Sequence, residues 1–141
     1  MAKECERFVL DQIERRESLA VETTLRTAAA IEQAELAKGS GFATVMRFVA
    51  TDSIAENVAR VLQRAQAGGH GASEREIRTI HQASVANLRR AIATFERVRV
   101  YDSTARWTPP RLVAVARSGR IARQGATPAW LEAALADGDG C

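Results

Sequence analysis

The residues of this chain whose types and spacing could do chemistry are a carboxylate, a hydroxyl and a pair of arginines. Glu22 and Thr24 stand in Val21–Thr27 (VETTLRT). Leu19–Thr24 is short and rich in β-branched residues, which predicts a strand. A carboxylate near a strand's C-terminal end lies where open α/β sheets bind ligands. An ordinary strand-end carboxylate is the plainer reading of Glu22. Arg60 and Arg64 are four residues apart and share one face of an expected helix. Their planar forks suit phosphate, although the same spacing also describes a solvated helix face.

Other chemistry finds less support. His70 and His81 have no Cys or carboxylate partners at metal-ligand spacing. Ser40, Ser84 and Ser118 lack a nucleophile-elbow context. Cys5 and Cys141, near opposite ends of the chain, make neither a metal site nor a disulfide framework. Asp102 reads as a strand-end turn residue in preference to part of a nucleotide pocket. Trp107, Trp130 and Tyr101 read as packing residues.

The elements that must position these groups follow from periodicity. Residues 3–17 read as a helix with Phe8, Val9 and Ile13 inward. The alanine-rich run Thr27–Lys38 reads as a second, stopped by Gly39 and Gly41. Phe42–Ala50 (FATVMRFVA) is the strongest strand, and its near-continuous apolar run predicts burial on both faces. A helix over about Ser53–Ala67 opens on a Ser53/Glu56 capping box and presents Ile54, Val58, Val61, Leu62 and Ala65 on one face. After the turn Gly68–Ala72, Ser73 and Glu76 open a long helix to about Phe95. Its expected buried stripe is Ile77, Ile80, Ser84, Leu88, Ala91, Ile92 and Phe95. Arg97–Tyr101 is a strand closing on Asp102. Arg111–Ala116 and Ile121–Arg123 flank Ser118-Gly119 as a hairpin, and Pro128 begins a last helix anchored by Trp130, Leu131 and Leu135.

This alternation predicts an α/β domain with a parallel sheet. Three such strands make a thin sheet against the usual five or so, which hints that part of a fold is missing. At 141 residues, 46% apolar and 26% charged, the chain has the length and balance of one globular domain. No run approaches the roughly 18–20 apolar residues that cross a bilayer. The charged N-terminus lacks the apolar core of a secretory signal, so a reduced, cytoplasmic protein is expected. All but two of its twenty basic residues are arginine; a GC-rich genome is the simplest cause.

Several of these segments, in this order, resemble zeta toxins and the related UDP-N-acetylglucosamine kinases. VETTLRT is similar to that family's V/I-E-x-T-L-R-T segment. Phe42–Asp52 resembles the apolar strand that follows it, and Ile54–Arg64 the arginine-bearing helix after that. Gly68-Gly69-His70 with Ser73–Ile77 resembles a G-G-H turn and helix of the bacterial chromosomal branch. Phe95–Asp102 resembles the family's late strand, and PRLVAVARSGRIA followed by Pro-x-Trp-Leu its C-terminal ending. The likeness spans roughly residues 5–135.

The resemblance implies a P-loop kinase fold that transfers the ATP γ-phosphoryl group, with Mg²⁺, to a hydroxyl of a UDP-activated amino sugar. Carried over position by position, Glu22 and Thr24 match the substrate-contacting Glu and Thr. Arg64 matches the arginine that reaches the transferring phosphate, with Arg60 one turn before it. His70 stands near a second phosphate-contacting arginine of the family, so Arg75 or Arg78 would have to substitute. The nucleotide cradle, G-x-x-x-x-G-K-[ST], matches nothing in these residues, because the only lysines, Lys3 and Lys38, do not follow a glycine. The family's catalytic Asp falls upstream of Met1, and Asp11 does not take its place.

The expected fold is therefore an incomplete, P-loop-kinase-like three-layer α/β domain with a mainly parallel sheet, spanning 3–110, with a small C-terminal hairpin and terminal helix over 111–136. The expected activity is none for the chain alone, and ATP binding is doubtful. Either the gene has decayed or its start lies further upstream. Expected partners are a nucleotide sugar, an antitoxin-like protein, or a second copy meeting at strand edges that the missing strand would leave bare. The alternative is a non-catalytic binding module for a nucleotide sugar or a protein. A nucleic-acid binder ranks last, because acidic residues interleave with the arginines and aromatics are 5%.

Overall fold

The computed structural model describes residues 2–51, 59, 60, 62, 63, 73–105 and 108–136. Its elements, in chain order, are helices α1 (Ala2–Arg15) and α2 (Ala29–Gly39), strand β1 (Val45–Ala50), helix α3 (Glu74–Thr94), strands β2 (Arg97–Asp102), β3 (Arg111–Arg117) and β4 (Arg120–Arg123), and helix α4 (Ala129–Ala136). Residues 59, 60, 62 and 63 are also helical. Arg64, the Ser53/Glu56 box, the turn Gly68–Ala72, His70, Trp107 and Cys141 lie outside the described residues.

The four strands form one mixed sheet in the order β1-β2-β3-β4. β1 and β2 are parallel, whereas β2–β3 and β3–β4 are antiparallel. The expectation of a mainly parallel sheet is corrected here. Only β1 and β2 are joined by a helical crossover, and the short Ser118-Gly119 turn forces β4 back along β3. Ser118 and Gly119 both adopt positive φ (50° and 81°), the twist that two-residue hairpins require.

One core lies on one face of the sheet. Phe48, Val98, Val100, Val113, Ala114 and Ala116 point into it and meet Ile31 of α2, Leu88, Ala91 and Ile92 of α3, and Trp130, Leu131 and Ala134 of α4. A register shift at Val100/Tyr101 leaves Val113 outside the ladder, so that Val113 and Ala114 are both buried although adjacent in sequence. The α3 stripe is close to the expected one, with Ile77, Ser84, Leu88, Ala91 and Ile92 buried and Ile80 and Phe95 half-buried. The Ser73 hydroxyl accepts from the Glu76 amide at 3.1 Å, closing the first turn. A smaller cluster, Val9, Ile13 and Ala37, joins α1 to α2; Phe8, expected inward, is 49% exposed.

Two further expectations are corrected. Among the described residues no helix layer covers the second face of the sheet, where the three-layer expectation would put one. β1 is consequently buried on one face only: Phe48 is buried while Val45 and Val49 are 58% and 52% exposed. In addition, Leu19–Thr24 is not a strand. Among the described residues no neighbour supplies it with a ladder, and the chain turns instead. The Leu25 amide donates to Thr23 Oγ1 at 3.1 Å, and Leu25 itself takes φ 57°. Its side chain is 2% exposed, and its carbonyl accepts from Asn87 Nδ2 of α3 at 2.9 Å. A left-handed leucine costs roughly 1–2 kcal/mol; burying its side chain offsets that by a similar or larger amount.

Candidate functional site

The C-terminal ends of the parallel pair β1–β2 gather a polar cluster, built from residues that the strands themselves bring level. Ala50 of β1 registers with Asp102 of β2, so the residues that follow, Thr51 and Ser103, come together. The Ser103 amide donates to the Ala50 carbonyl at 2.8 Å, extending the ladder by one bond. Thr51, 4% exposed, donates to Thr104 Oγ1 at 3.5 Å, and Thr104 donates to Asp102 Oδ1 at 2.7 Å. Trp130 Nε1 donates to the same Asp102 oxygen at 2.9 Å. A row of hydroxyls and an indole thus converge on one carboxylate.

Two other elements close on this row. His81 Nε2, on the first half of α3, lies 2.8 Å from the Thr51 carbonyl. A carbonyl only accepts, so in this contact Nε2 carries the proton. Arg60 reaches Ser103 with both ends of its fork, NH1 to the hydroxyl at 3.2 Å and NH2 to the carbonyl at 2.8 Å. Arg60 is half-buried, so a fixed cation stands beside the strand ends. This is the end of an α/β sheet where ligands bind, because loops after parallel strands leave a crevice there. Its chemistry is that of an anion and hydroxyl site: one guanidinium, several small hydroxyls and a carboxylate already engaged by two donors.

The structure places the sequence-predicted residues apart. Arg60 belongs to the cluster, and Arg64 is outside the described residues. Glu22 and Thr24 are exposed on the irregular segment before Leu25. No described hydrogen bond or ion pair joins either of them to Arg60 or Asp102. Arg78 pairs with Glu74 at 2.7 Å on the outer face of α3, and Arg75 is exposed. Asp102, read as a turn residue, is instead the acceptor around which the strand end is organised. Trp130 does pack, with its ring 5.9 Å from that of Phe48, but it also donates. Thr51, His81, Ser103 and Thr104 are additions. The run Asp102-Ser103-Thr104 after a strand was the sequence signal for them, together with an indole that needs a partner when buried.

ATP with Mg²⁺, which the family resemblance implies, does not fit these residues. A phosphate cradle needs a glycine-rich nest of amides with its lysine, and these 141 residues hold no such motif. Among the described residues no group of three His, Cys, Asp or Glu side chains could hold a metal ion. An open depression lined by Glu35, Lys38, Gly39, Ala93 and Thr94 lies where α2 and α3 end, beside the opposite end of the sheet, and brings no reactive group to the strand ends. No described helix is long and apolar enough to cross a membrane. The chain matches no protein-family model, no curated protein and no solved structure.

Proposed function

We propose that the chain is a member of the zeta-toxin and UDP-N-acetylglucosamine kinase-like family that retains the acceptor side of the site and lacks the ATP side. Its working role in this reading is to hold a nucleotide sugar at the C-terminal ends of β1 and β2, in the cytoplasm, without transferring a phosphoryl group by itself. One observation carries the reading: Arg60 is anchored by Ser103 at 3.2 and 2.8 Å beside the ends of the only parallel strand pair described. A guanidinium held there supplies charge for a diphosphate, and the Thr51, Ser103 and Thr104 hydroxyls supply small polar partners. Arg64, four residues on in the sequence, would add a second charge. Glu22 and Thr24 would reach the sugar or uridine only if the segment before Leu25 moved toward the strand ends.

Phosphoryl transfer depends on positioning and on neutralising phosphate charge. Arg60 answers charge on the acceptor side, but the cradle and lysine that would position the γ-phosphate are not in the sequence, and a general base alone is worth roughly 10²–10⁴-fold. A non-catalytic binding module is the form in which this reading applies to the chain alone. Titration calorimetry with UDP-N-acetylglucosamine and, separately, with ATP tests it. Saturable binding of the nucleotide sugar, weakened several-fold by Arg60→Ala, is the expected outcome, with no heat from ATP. Phosphorus NMR should show no ATP-dependent phosphorylated product. Tight ATP binding, or turnover, would overturn the proposal.

A further inference from the structure

The second face of the sheet carries charge that nothing described answers. Alternation along the strands places Arg47, Arg97, Arg99, Arg117 and Arg120 on this face, and all five are exposed. They stand in register with one another: Arg47 opposite Arg99, Arg97 opposite Arg117, and Arg117 opposite Arg120. Like charges directly opposite on one sheet face are destabilising. Among the described residues no strand position on this face is a carboxylate, and none of the five arginines has a described partner. On the core side, by contrast, Arg123 pairs with Glu132 at 2.8 Å. Val49, Tyr101 and Leu112 form one apolar row across the open face, toward the C-terminal ends of β1 and β2, whereas Val45 stands opposite Arg97 and Val115 opposite Arg99.

We infer that this face is a docking surface for an acidic amphipathic helix of a partner protein. The charge complement is a row of carboxylates over the arginine end, and the aliphatic end takes the apolar stripe of the same helix. The ladder bonds within the sheet are already made, so the face offers side chains and not backbone, which excludes strand addition there. Four strands give a width of about 14 Å, enough to seat one helix about 10–12 Å across. A parallel strand pair such as β1–β2 is also ordinarily covered on both faces. Single-stranded nucleic acid is the weaker fit, since base stacking wants several aromatic platforms among the cations, and Tyr101 is the one aromatic among the described strand residues of this face. This face is the one opposite the core, and its residues are not those of the strand-end cluster, so the inference stands whether or not the kinase-family reading does.

Fluorescence anisotropy with three labelled probes tests it: an 18-residue helical peptide with leucine and glutamate in adjoining stripes, so that both can meet the sheet, a scrambled peptide of the same composition, and an 18-nucleotide single-stranded DNA. The amphipathic peptide should bind saturably, at least tenfold more tightly than the scramble. The double variant Arg97→Glu/Arg117→Glu should weaken it at least tenfold with an unchanged circular dichroism spectrum, and Leu112→Ser should weaken it several-fold. If the charge reversal misfolds, Arg99→Gln/Arg117→Gln takes its place with the same expectation. Equal binding of peptide and scramble would reduce the face to bulk charge and sink the inference. Tighter binding of the DNA would make it a phosphate surface instead. A dimer in sedimentation that the arginine variants abolish would assign the face to a second copy.

Discussion

The indole Nε1 of Trp130 and the carboxylate of Asp102, 28 residues apart in sequence, meet at 2.9 Å. The bond ties α4 to the end of β2, and it does so beside the tilted packing of Trp130 against Phe48 of β1, with the ring planes at 44°. It is therefore the link by which the last helix helps to shape the strand-end cluster.

Trp130→Phe keeps most of the ring's burial and removes only the donor. It should cost about 1–2 kcal/mol, the scale of a lost hydrogen bond to a charged group. Asp102→Ala removes the acceptor from both Trp130 and Thr104 and should cost more, about 2–3 kcal/mol. Urea unfolding of the two variants measures the order. If Trp130→Phe were the more damaging, ring shape and not the bond would hold α4.

At Leu25 two effects oppose one another. Replacing the side chain by alanine forfeits core contacts, about 2–5 kcal/mol for a buried leucine. Glycine forfeits the same contacts but is at ease at φ 57°. Leu25→Gly should then be at least as stable as Leu25→Ala, the reverse of the usual order. Thermal or urea melts that rank alanine well above glycine would show that the left-handed turn carries no strain.

Removing the Asn87 side chain with Asn87→Ala leaves the Leu25 carbonyl without its partner from α3. A loss of about 1 kcal/mol is expected. Amide exchange over residues 23–27 should speed up more than exchange in α2, because the bond is what holds that turn against α3.

Glu132 is held below the ordinary carboxylate range, first by the Arg123 hydrogen bond and then by that of Thr127, against an opposing desolvation and with the Arg123 charge adding least. Arg123 is correspondingly raised. A carboxylate whose folded value is depressed contributes stability that is present above its unfolded value and lost as pH falls through the folded one. The native chain should therefore lose stability on acidification below the usual glutamate range, and Glu132→Gln should flatten that part of the curve. Melting temperatures of the two proteins between pH 7 and pH 3, a window of about that span for carboxylates, decide it. Parallel curves would remove Glu132 from the acid response.

Ser73→Ala should cost about 1 kcal/mol, the ordinary worth of an N-cap, because only the Ser73 oxygen meets the Glu76 amide in that turn. Ser73→Asp should restore the loss. Failure of the aspartate to rescue would point to a role for Ser73 other than capping.

What was legible in advance was local. The 3.6-residue rhythm of Ile77, Ser84, Leu88 and Ile92 places α3, and the Ser73/Glu76 spacing places its start. Ser118-Gly119 marks the hairpin, and Arg97–Asp102 marks β2. Each rests on interactions within a few residues, which composition and spacing carry. A family likeness carried the roles assigned to Glu22, Thr24, Arg60 and Arg64, and of these the fold seats Arg60 at the strand ends.

The partners of each strand were decided only by the tertiary structure. Leu19–Thr24 has the β-branched composition of a strand but no described neighbour to share a ladder with, so Leu25 turns it into the core. Phe42–Ala50 has the apolar run of a strand covered on both sides, yet it stands at an edge with one side open. Strand status and burial belong to pairs and layers, and no stretch of sequence contains its own neighbour. For the same reason the convergence of Thr51, Thr104 and Trp130 on Asp102, and the register that stacks five arginines on one face, became visible only when β1, β2, β3 and β4 lay side by side.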